Sequence, residues 1–317
     1  TPASQGRLIF PAIAAVSFWL AYGWRSLVPG GWQSGVLGAV TAVLFLVAAA
    51  VPVGFIAPAY AVPAMVESLP GDMEAVEITY GDQFELVAYR LPSREVLPGQ
   101  PLVVELGWRA LAPVDDDYSI FVHLYGPEGG LLGQADTYPG GGLLPTSHWA
   151  AGDQYVDRIE VPVARDAEAP AIGRVVVGLY LHDGMTMLPA RDPTGVDLGT
   201  SPTLARFKIA AHEPATFDIP VPVEYQLGSK LSLVGYDLSG APGEVTLYWQ
   251  AREPVSADYT VFIHLLDEAG DAVAQADSQP QAGAYPTSFW SVNEVVPDRH
   301  RFPAELVAGL PPGTYSV

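Results

Sequence analysis

A stretch of 41 residues near the start of the chain, 26–66, contains no charged side chain. Within it, residues 36–56 (VLGAVTAVLFLVAAAVPVGFI) are almost wholly apolar, and 21 helical residues are enough to cross a hydrocarbon core of ~30 Å. Residues 8–24 form a second apolar run, and a Pro-Gly-Gly turn flanked by tyrosine and tryptophan stands between the two runs. The sequence therefore predicts a transmembrane helical hairpin over residues 1–66.

Two other interpretations of this apolar region are a signal peptide and a buried helix pair in a soluble protein. A signal peptide has a basic start and one apolar core of about 7 to 15 residues, whereas this chain begins with Thr1 and has two longer runs. The hairpin is therefore the favoured interpretation. Two spans return a chain to the side on which it started, so residues 67–317 are expected on the same side as Arg7.

Charge is divided sharply between the two parts of the chain. All 35 acidic side chains lie after residue 66, together with 13 basic ones, so that part has a net charge of −22, while residues 1–66 carry only Arg7 and Arg25. Such acidity makes non-specific nucleic-acid binding unfavourable and argues against contact with an anionic membrane surface. The absence of cysteine excludes a disulfide scaffold and cysteine-ligated metal.

The acidic part contains an internal repeat with an offset of 141 residues. Residues 108–157 align without a gap to residues 249–298, and 20 of the 50 positions are identical. A Pro-Thr-Ser-x-Trp sequence is shared, and so is an aspartate eight residues after its tryptophan. The identities outside that sequence include Tyr118/Tyr259, Phe121/Phe262, His123/His264, Asp136/Asp277, Pro139/Pro280, Gly142/Gly283 and Asp157/Asp298. The body is therefore expected to contain two copies of one domain.

Each copy has the sequence pattern of an all-β domain, with short alternating runs separated by Gly, Pro, Asp and Ser. Seven strands in about 140 residues favour an immunoglobulin-like antiparallel sandwich. Repeat 1 is predicted over residues 67–213 and repeat 2 over 214–317, with the Pro-rich stretch 212–222 as a linker. The strands predicted in the first copy are 84–90, 102–110, 118–125, 131–136, 155–161, 174–182 and 204–209.

The second copy is expected to be incomplete. In the first copy about forty residues follow Gly173, whereas four follow the matching Gly313. The whole prediction is thus a transmembrane hairpin followed by two immunoglobulin-like sandwich repeats, the second truncated, in a fragment of a longer protein.

Few catalytic patterns are present. The chain has no nucleophile elbow, zinc-protease His pair, phosphate-binding Gly loop or EF-hand, so no catalytic residue, metal site or cofactor is assigned. His123 and His264 each precede an aspartate, Asp136 or Asp277, by thirteen residues. Such a pair could serve a metal or acid–base site, but one carboxylate gives too few ligands, and a hydrogen bond between neighbouring strands is the favoured interpretation.

Trp149 and Trp290, each within the shared Pro-Thr-Ser-x-Trp sequence, are candidate glycan contacts. If exposed, their rings could stack on sugars. If buried, they would close the end of the sandwich core, which is the commoner position for tryptophan. The sequence leaves both alternatives open.

The sequence QGRLIFP at residues 5–11, leading into two apolar spans, resembles the end of the membrane portion of bacterial glycosyltransferases related to protein mannosyltransferases, of the GT-C superfamily. The tandem module, with its vFvHL, QaD and P-x-x-G-x-x-P-T-S-x-W motifs, looks like the β-sandwich at the C-terminus of such transferases in Chloroflexi-type bacteria. The resemblance implies transfer of a sugar from a polyprenyl-phosphate carrier, at the membrane, to an extracytoplasmic acceptor.

In that family an acidic residue in the first extracytoplasmic loop acts as base, and nothing in this chain matches that loop. The resemblance therefore implies catalytic residues upstream of Thr1. It also implies that residues 67–317 are extracytoplasmic, and that Arg7 either pairs with the carrier phosphate or merely anchors the helix end. Two rivals stay open: a membrane-anchored module that binds cell-surface glycan or protein, and a spacer without a ligand.

Overall fold

The structure, a computed structural model, describes residues 17–19, 22–23 and 27–317. It divides into two compact units, Thr1–Val62 and Pro63–Val317. The first contains an apolar helix, and the second consists mostly of antiparallel β-sheet. The described residues thus form an N-terminal apolar helix followed by several sheets, which confirms the coarse division into an apolar head and a β body.

Within the apolar helix, Gly30–Ala59, the most apolar 18 residues have a mean hydropathy of 2.5, and none of them is buried. Pro52 lacks an N–H and its ring clashes with the preceding turn, so the helix widens there and the Ala57 N–H donates to the Pro52 carbonyl, five residues back. Its length and composition suit a membrane anchor or a signal sequence. Its segments are a 3₁₀ turn Gly30–Trp32, an α-helix Gln33–Val51, a π-helical turn Pro52–Ile56 and a last α-turn Ala57–Ala59.

The first predicted span, residues 8–24, lies mostly outside the described residues, as does Arg7. Of that span the structure describes residues 17–19 and 22–23, which are helical. One apolar helix is therefore shown, and the hairpin stays a prediction.

The first module is a pair of β-sheets. Its strands are β1 Glu74–Tyr80, β2 Phe84–Arg90, β3 Glu95–Val96, β4 Pro101–Ala110, β5 Tyr118–Tyr125, β6 Leu131–Thr137, β7 Gln154–Pro162, β8 Ala171–Leu181, β9 Thr186–Met187, β10 Ala190–Arg191, β11 Asp197–Gly199 and β12 Thr203–Ile209. One sheet has the strand order β11-β10-β1-β2-β4-β7, and the other has the order β3-β12-β8-β5-β6, in which β9 also pairs with β8. Neighbouring strands are antiparallel, except that β3 and β12 are parallel.

Both sheets of the first module contribute to one hydrophobic core. Trp108 and Phe84 come from one sheet, Leu124 and Phe207 from the other, and all four are almost fully buried. Alternation along each strand places these apolar side chains on the inner face. Complete burial of such large side chains supplies most of the driving force for the packing, at about 1.5–3 kcal/mol for each aliphatic or phenyl side chain.

The second module begins after the linker. Its strands are β13 Val221–Leu227, β14 Leu231–Asp237, β15 Glu244–Ala251, β16 His264–Leu266, β17 Ala272–Gln275 and β18 Val295–Arg301, followed by a short helix Ala304–Ala308. They form one four-stranded sheet, β13-β14-β15-β18, and one two-stranded sheet, β16-β17. Their apolar side chains form two smaller clusters. Of the predicted linker, residues 212–220 contain no strand, whereas the last two residues belong to β13.

Candidate functional site

The repeated motif forms the same loop in both modules. The first loop, residues 139–149, lies between β6 and β7, and the second loop, residues 280–290, lies between β17 and β18. Each contains two 3₁₀ turns, and the first turn of each holds successive residues at positive φ, Gly140 at 65° and Gln281 at 52° among them. The two loops thus keep one conformation although the second places non-glycine residues in the left-handed region.

A buried threonine ties each loop to the segment beside it. Thr146 Oγ1 accepts a hydrogen bond from the Tyr118 N–H at 2.8 Å and donates to the Asp116 carbonyl at 2.7 Å. Thr287 Oγ1 makes the equivalent pair, with the Tyr259 N–H at 2.9 Å and the Ala257 carbonyl at 2.6 Å. We call this pair of threonine hydrogen bonds the threonine clasp. It positions the start of β5 in the first module and the segment that begins at Tyr259 in the second.

Both candidate tryptophans lie in the cores. Trp149 is 3% exposed and Trp290 is 5% exposed, and each indole N–H donates to a carbonyl of its own loop, that of Leu144 or Tyr285. The Trp149 ring packs edge-on against Phe84 at 5.9 Å between centroids. Neither ring presents a face to solvent on which a sugar could stack. Of the two alternatives left open by the sequence, the structure has the buried one, with each tryptophan in a core.

The shared aspartate completes each loop from the neighbouring strand. Asp157 Oδ1 accepts the Gly140 N–H at 3.3 Å, and Asp298 Oδ1 accepts the Gln281 N–H at 2.7 Å. Burial raises the pKa of Asp157 to about 6, although the Gly140 and Arg158 amides act in the opposite direction.

The second oxygen of these carboxylates has a different environment in each module. His300 Nε2 lies 2.6 Å from Asp298 Oδ2, and both residues are buried. The equivalent position in the first module is Ile159, and Asp157 Oδ2 is a buried atom without a hydrogen-bond partner in the described chain. Only the second module therefore pairs its aspartate with a histidine.

The histidine–aspartate pair predicted from the sequence is weak. His123 Nε2 lies 3.5 Å from Asp136 Oδ1, but the atom makes no hydrogen bond within the described part of the chain. His264 is exposed, and the described contacts do not join it to Asp277. Across the described residues no group of three or more His, Asp or Glu side chains is placed to hold a metal ion.

The second loop and the residues just after it also contact the first module. Lys208, in β12 of the first module, is 3% exposed, and its ammonium donates to Glu294 at 2.6 Å and to the Ser291 hydroxyl at 2.5 Å. It also lies 5.6 Å from the centroid of the Tyr285 ring. We call this contact the junction.

Glu294 is the centre of the junction. Besides Lys208, its carboxylate accepts the Tyr285 hydroxyl at 2.7 Å and the Ser291 N–H at 2.8 Å. Burial and this nearby negative charge raise the pKa of Tyr285 well above its ordinary value. An ion pair buried between two surfaces requires defined geometry, because a displaced partner leaves an uncompensated charge.

Further contacts extend the junction across the outer surface of the first module. Ile172 belongs to the same apolar cluster as the core tryptophans of the second module. The Arg206 guanidinium lies 5.5 Å from the Phe289 ring centroid, and the Ser291 hydroxyl donates to Glu95 at 3.2 Å. Apolar, cation–π and hydrogen-bonding contacts thus meet at one surface patch formed by β3, β8 and β12.

The first loop is covered in a comparable way by the segment that precedes the first module. The Val66 N–H donates to the Gln154 carbonyl at 2.8 Å, just beyond that loop. A side chain on Gly140 would lie 2.8 Å from Pro63, so this residue must be small. The loop region of the first module therefore contacts the segment before that module, and the loop region of the second contacts the first module itself.

The junction was not predicted from the sequence. Its one available signal is Lys208, one of only two lysines, placed in a strand otherwise made largely of apolar residues. That pattern indicates a buried cation but not its partner, which lies 86 residues further along the chain.

The second module also has a surface depression of about 470 Å³. Asp237, Thr246, Gln281 and Arg299 are among its lining residues. Glu244, at its edge, is buried and pairs with Arg299 and Arg301. Most residues that line the depression have polar side chains, and Arg299 is paired with Glu244.

No protein-family model matches the chain, and neither does any curated protein. Among solved structures, a calcium-binding mutant of Bacteroides uniformis beta-glucuronidase 2 is 19% identical over 34% of this chain and 12% of its own, with a TM-score of 0.23. The Bacteroides uniformis beta-glucuronidase crystal structure is 16% identical over 40% of this chain and 17% of its own, with a TM-score of 0.24. The matched part is a small fraction of each glucuronidase.

Proposed function

We propose that this chain is a membrane-anchored arm: an apolar anchor carrying two immunoglobulin-like sandwich repeats, residues 67–213 and 214–317, held in a fixed mutual orientation outside the cytoplasm. The observation that carries this proposal is the junction, in which the buried Lys208–Glu294 pair joins the two modules. A flexible linker alone would leave such modules free to rotate. In this proposal the repeated motif serves to build the loop that docks on the preceding segment.

The resemblance to polyprenyl-phosphate-dependent transferases supports a more specific role. In that role the arm is an accessory part of a membrane glycosyltransferase and holds acceptor or glycan near the membrane. The motif QGRLIFP and the repeat motif are its support, and the chemistry of transfer would reside outside this chain.

The fixed orientation is tested by the distance between two spin labels. The chain has no cysteine, so Glu128→Cys and Glu268→Cys, in exposed turns of the two modules, provide unique labelling sites. Pulsed electron paramagnetic resonance on the full chain in nanodiscs should give one narrow distance distribution. Lys208→Ala should broaden it, whereas Lys230→Ala, the change at the other lysine, should leave it unchanged. A broad distribution in the parent protein would refute the rigid arm.

The carrier contact is tested by photo-crosslinking in membranes. A photoactivatable polyprenyl-phosphate analogue should label the chain, and Arg7→Ala should reduce labelling several-fold if its guanidinium pairs with the phosphate. Arg25→Ala is the matched control, since it removes the only other charge in residues 1–66. Equal labelling of both variants would support a merely anchoring Arg7.

A glycan-binding module is the second candidate, favoured by the depression near Arg299. A glycan array of the full chain in detergent distinguishes it from the spacer. Binding that is lost in Arg299→Ala supports recognition at the depression, and absence of binding supports the arm alone.

A further inference from the structure

The same strand position has opposite environments in the two modules. Phe121 is 2% exposed, whereas its repeat partner Phe262 is 72% exposed. Tyr118 is buried and its partner Tyr259 is exposed. Identical side chains thus face a packed neighbour in one module and solvent in the other.

In the first module the neighbour is β8. It pairs with β5 over the whole length of that strand, and Gly178 stands opposite Phe121. A Cβ atom on Gly178 would lie 2.2 Å from the Phe121 ring and 2.6 Å from the Thr200 carbonyl oxygen, so only glycine fits there. Val176 and Tyr180, on either side, pack with Phe121 in one apolar cluster. The phenyl ring therefore selects a strand with glycine at one register position.

In the second module, residues 259–266 offer the corresponding edge. Val261 exchanges two backbone hydrogen bonds with Ser278, toward β17. Because hydrogen-bonding direction alternates along an antiparallel strand, the backbone groups of Phe262 and His264 point to the opposite edge. We call this the acceptor edge.

A ladder already begins at one end of the acceptor edge. The backbone groups of Leu266 and Ser316 exchange hydrogen bonds of 2.8 and 3.0 Å. Leu266 is the repeat partner of Tyr125, which pairs with Arg174 in β8. Ser316 therefore occupies, beside Leu266, the place that β8 occupies beside Tyr125.

We propose that the acceptor edge binds a polypeptide strand that resembles β8 in sequence. This strand continues the line of Ser316 and Val317 along the edge and places a glycine opposite Phe262. The strand adds to the sheet by main-chain hydrogen bonds, and the exposed phenyl ring provides the sequence selection. An unpaired edge bearing exposed aromatics is otherwise a site of non-specific association. This inference does not depend on the membrane role or on the junction.

The test grafts residues 176–182 (VVGLYLH) directly after Val317 of the full chain, in detergent micelles. Because Ser316 stands where Arg174 stands in β8, the residue after Val317 corresponds to residue 176. The grafted segment therefore continues along the acceptor edge in the register of β8. Tethering raises its effective concentration, so a weakly binding segment can still occupy the edge. Hydrogen exchange at the Phe262 and His264 amides should slow by about tenfold or more if the edge is at least nine-tenths occupied.

Glycine selection separates a specific site from a merely adhesive edge. A graft with Gly178→Val should lose the protection, because its side chain would clash with the phenyl ring. Combining that graft with Phe262→Ala should restore protection, since the smaller side chain makes room. The proposal would be overturned if both grafts protected these amides equally or if neither graft did. It would also be overturned if the amides of the ungrafted chain became protected as its concentration rose, a result that would indicate a second copy of the chain as the occupant.

Discussion

At the scale of single residues, one repeated aspartate has two different environments. Asp298 contacts His300 on its own strand, whereas the first module has Ile159 at the position of His300, and Asp157 has one oxygen without a hydrogen-bond partner among the described residues. Both keep the hydrogen bond to the loop amide. The capping of the loop explains why the aspartate appears in both repeats, while the histidine is an addition in one of them.

Asp157 predicts a pH-dependent stability for the first module. Its folded pKa is about 6, against an ordinary value of 3.8, so the neutral acid is favoured in the fold. This contribution is fully present below about pH 4 and is lost as the pH rises through 6. A pKa difference of this size corresponds to roughly 3 kcal/mol in the free energy of unfolding. Urea unfolding of the full chain in detergent, at pH 4 to 8, should show the free energy of unfolding falling by up to that amount.

Two variants show whether Asp157 causes the fall. Asp157→Asn keeps an oxygen for the Gly140 N–H and cannot ionise, so the difference between pH 4 and pH 8 should shrink. Ile159→His supplies the donor present in the second module and should shrink it too, by lowering the pKa of Asp157. An unchanged pH profile in Asp157→Asn would assign the effect to another group.

At the scale of elements, alternation in the sequence predicted strands well. All seven strands predicted for the first copy are present, and two of them, Phe84–Arg90 and Tyr118–Tyr125, have the predicted bounds. The strand Glu74–Tyr80 was missed, although residues 76–80 alternate apolar and polar side chains. Periodicity reports which face of a strand is buried, but it does not report the register shift that this strand has near Glu77, where φ is 53°.

The function of the repeated motif was less accessible to sequence reasoning. Its spacing indicated two copies of one loop but not whether Trp149 and Trp290 face inward. That orientation depends on the threonine clasp and the positive-φ turn, which are three-dimensional features. Similarly, the identity of Phe121 and Phe262 concealed their different exposure, since exposure depends on the strand beside them.

The threonine clasp predicts an effect on the loop and on β5 together. Thr146→Val keeps the shape but leaves the Tyr118 N–H, buried under the loop, without its acceptor, which should cost about 1–3 kcal/mol of stability. Thr146→Ser keeps the hydroxyl and serves as the control. Chemical denaturation compares the free energies, and hydrogen exchange at Tyr118 locates the change. A loss of stability in Thr146→Ser with little loss in Thr146→Val would point to packing of the methyl group instead.

At the scale of the whole molecule, each loop lies against whatever precedes its module. The first loop meets residues 63–66, and the second loop meets the β3–β8–β12 patch of the first module. Because the same kind of contact recurs in each module, it can fix the position of each module relative to the segment or module before it. The same sequence motif therefore stabilises each module internally and sets where the neighbouring segment lies.

The buried ion pair at the junction predicts cooperative unfolding of the two modules. Lys208→Met leaves Glu294, whose side chain is 14% exposed, without its cation, and breaking a buried pair costs about 3–5 kcal/mol. Calorimetry of the full chain in detergent should then resolve two transitions where the parent shows one. Adding Glu294→Gln removes the unpaired charge but keeps an acceptor for the Tyr285 hydroxyl, so the double variant should recover part of the coupling. If Lys208→Met alone leaves a single transition, Ile172 and the aromatic contacts hold the modules together without the ion pair.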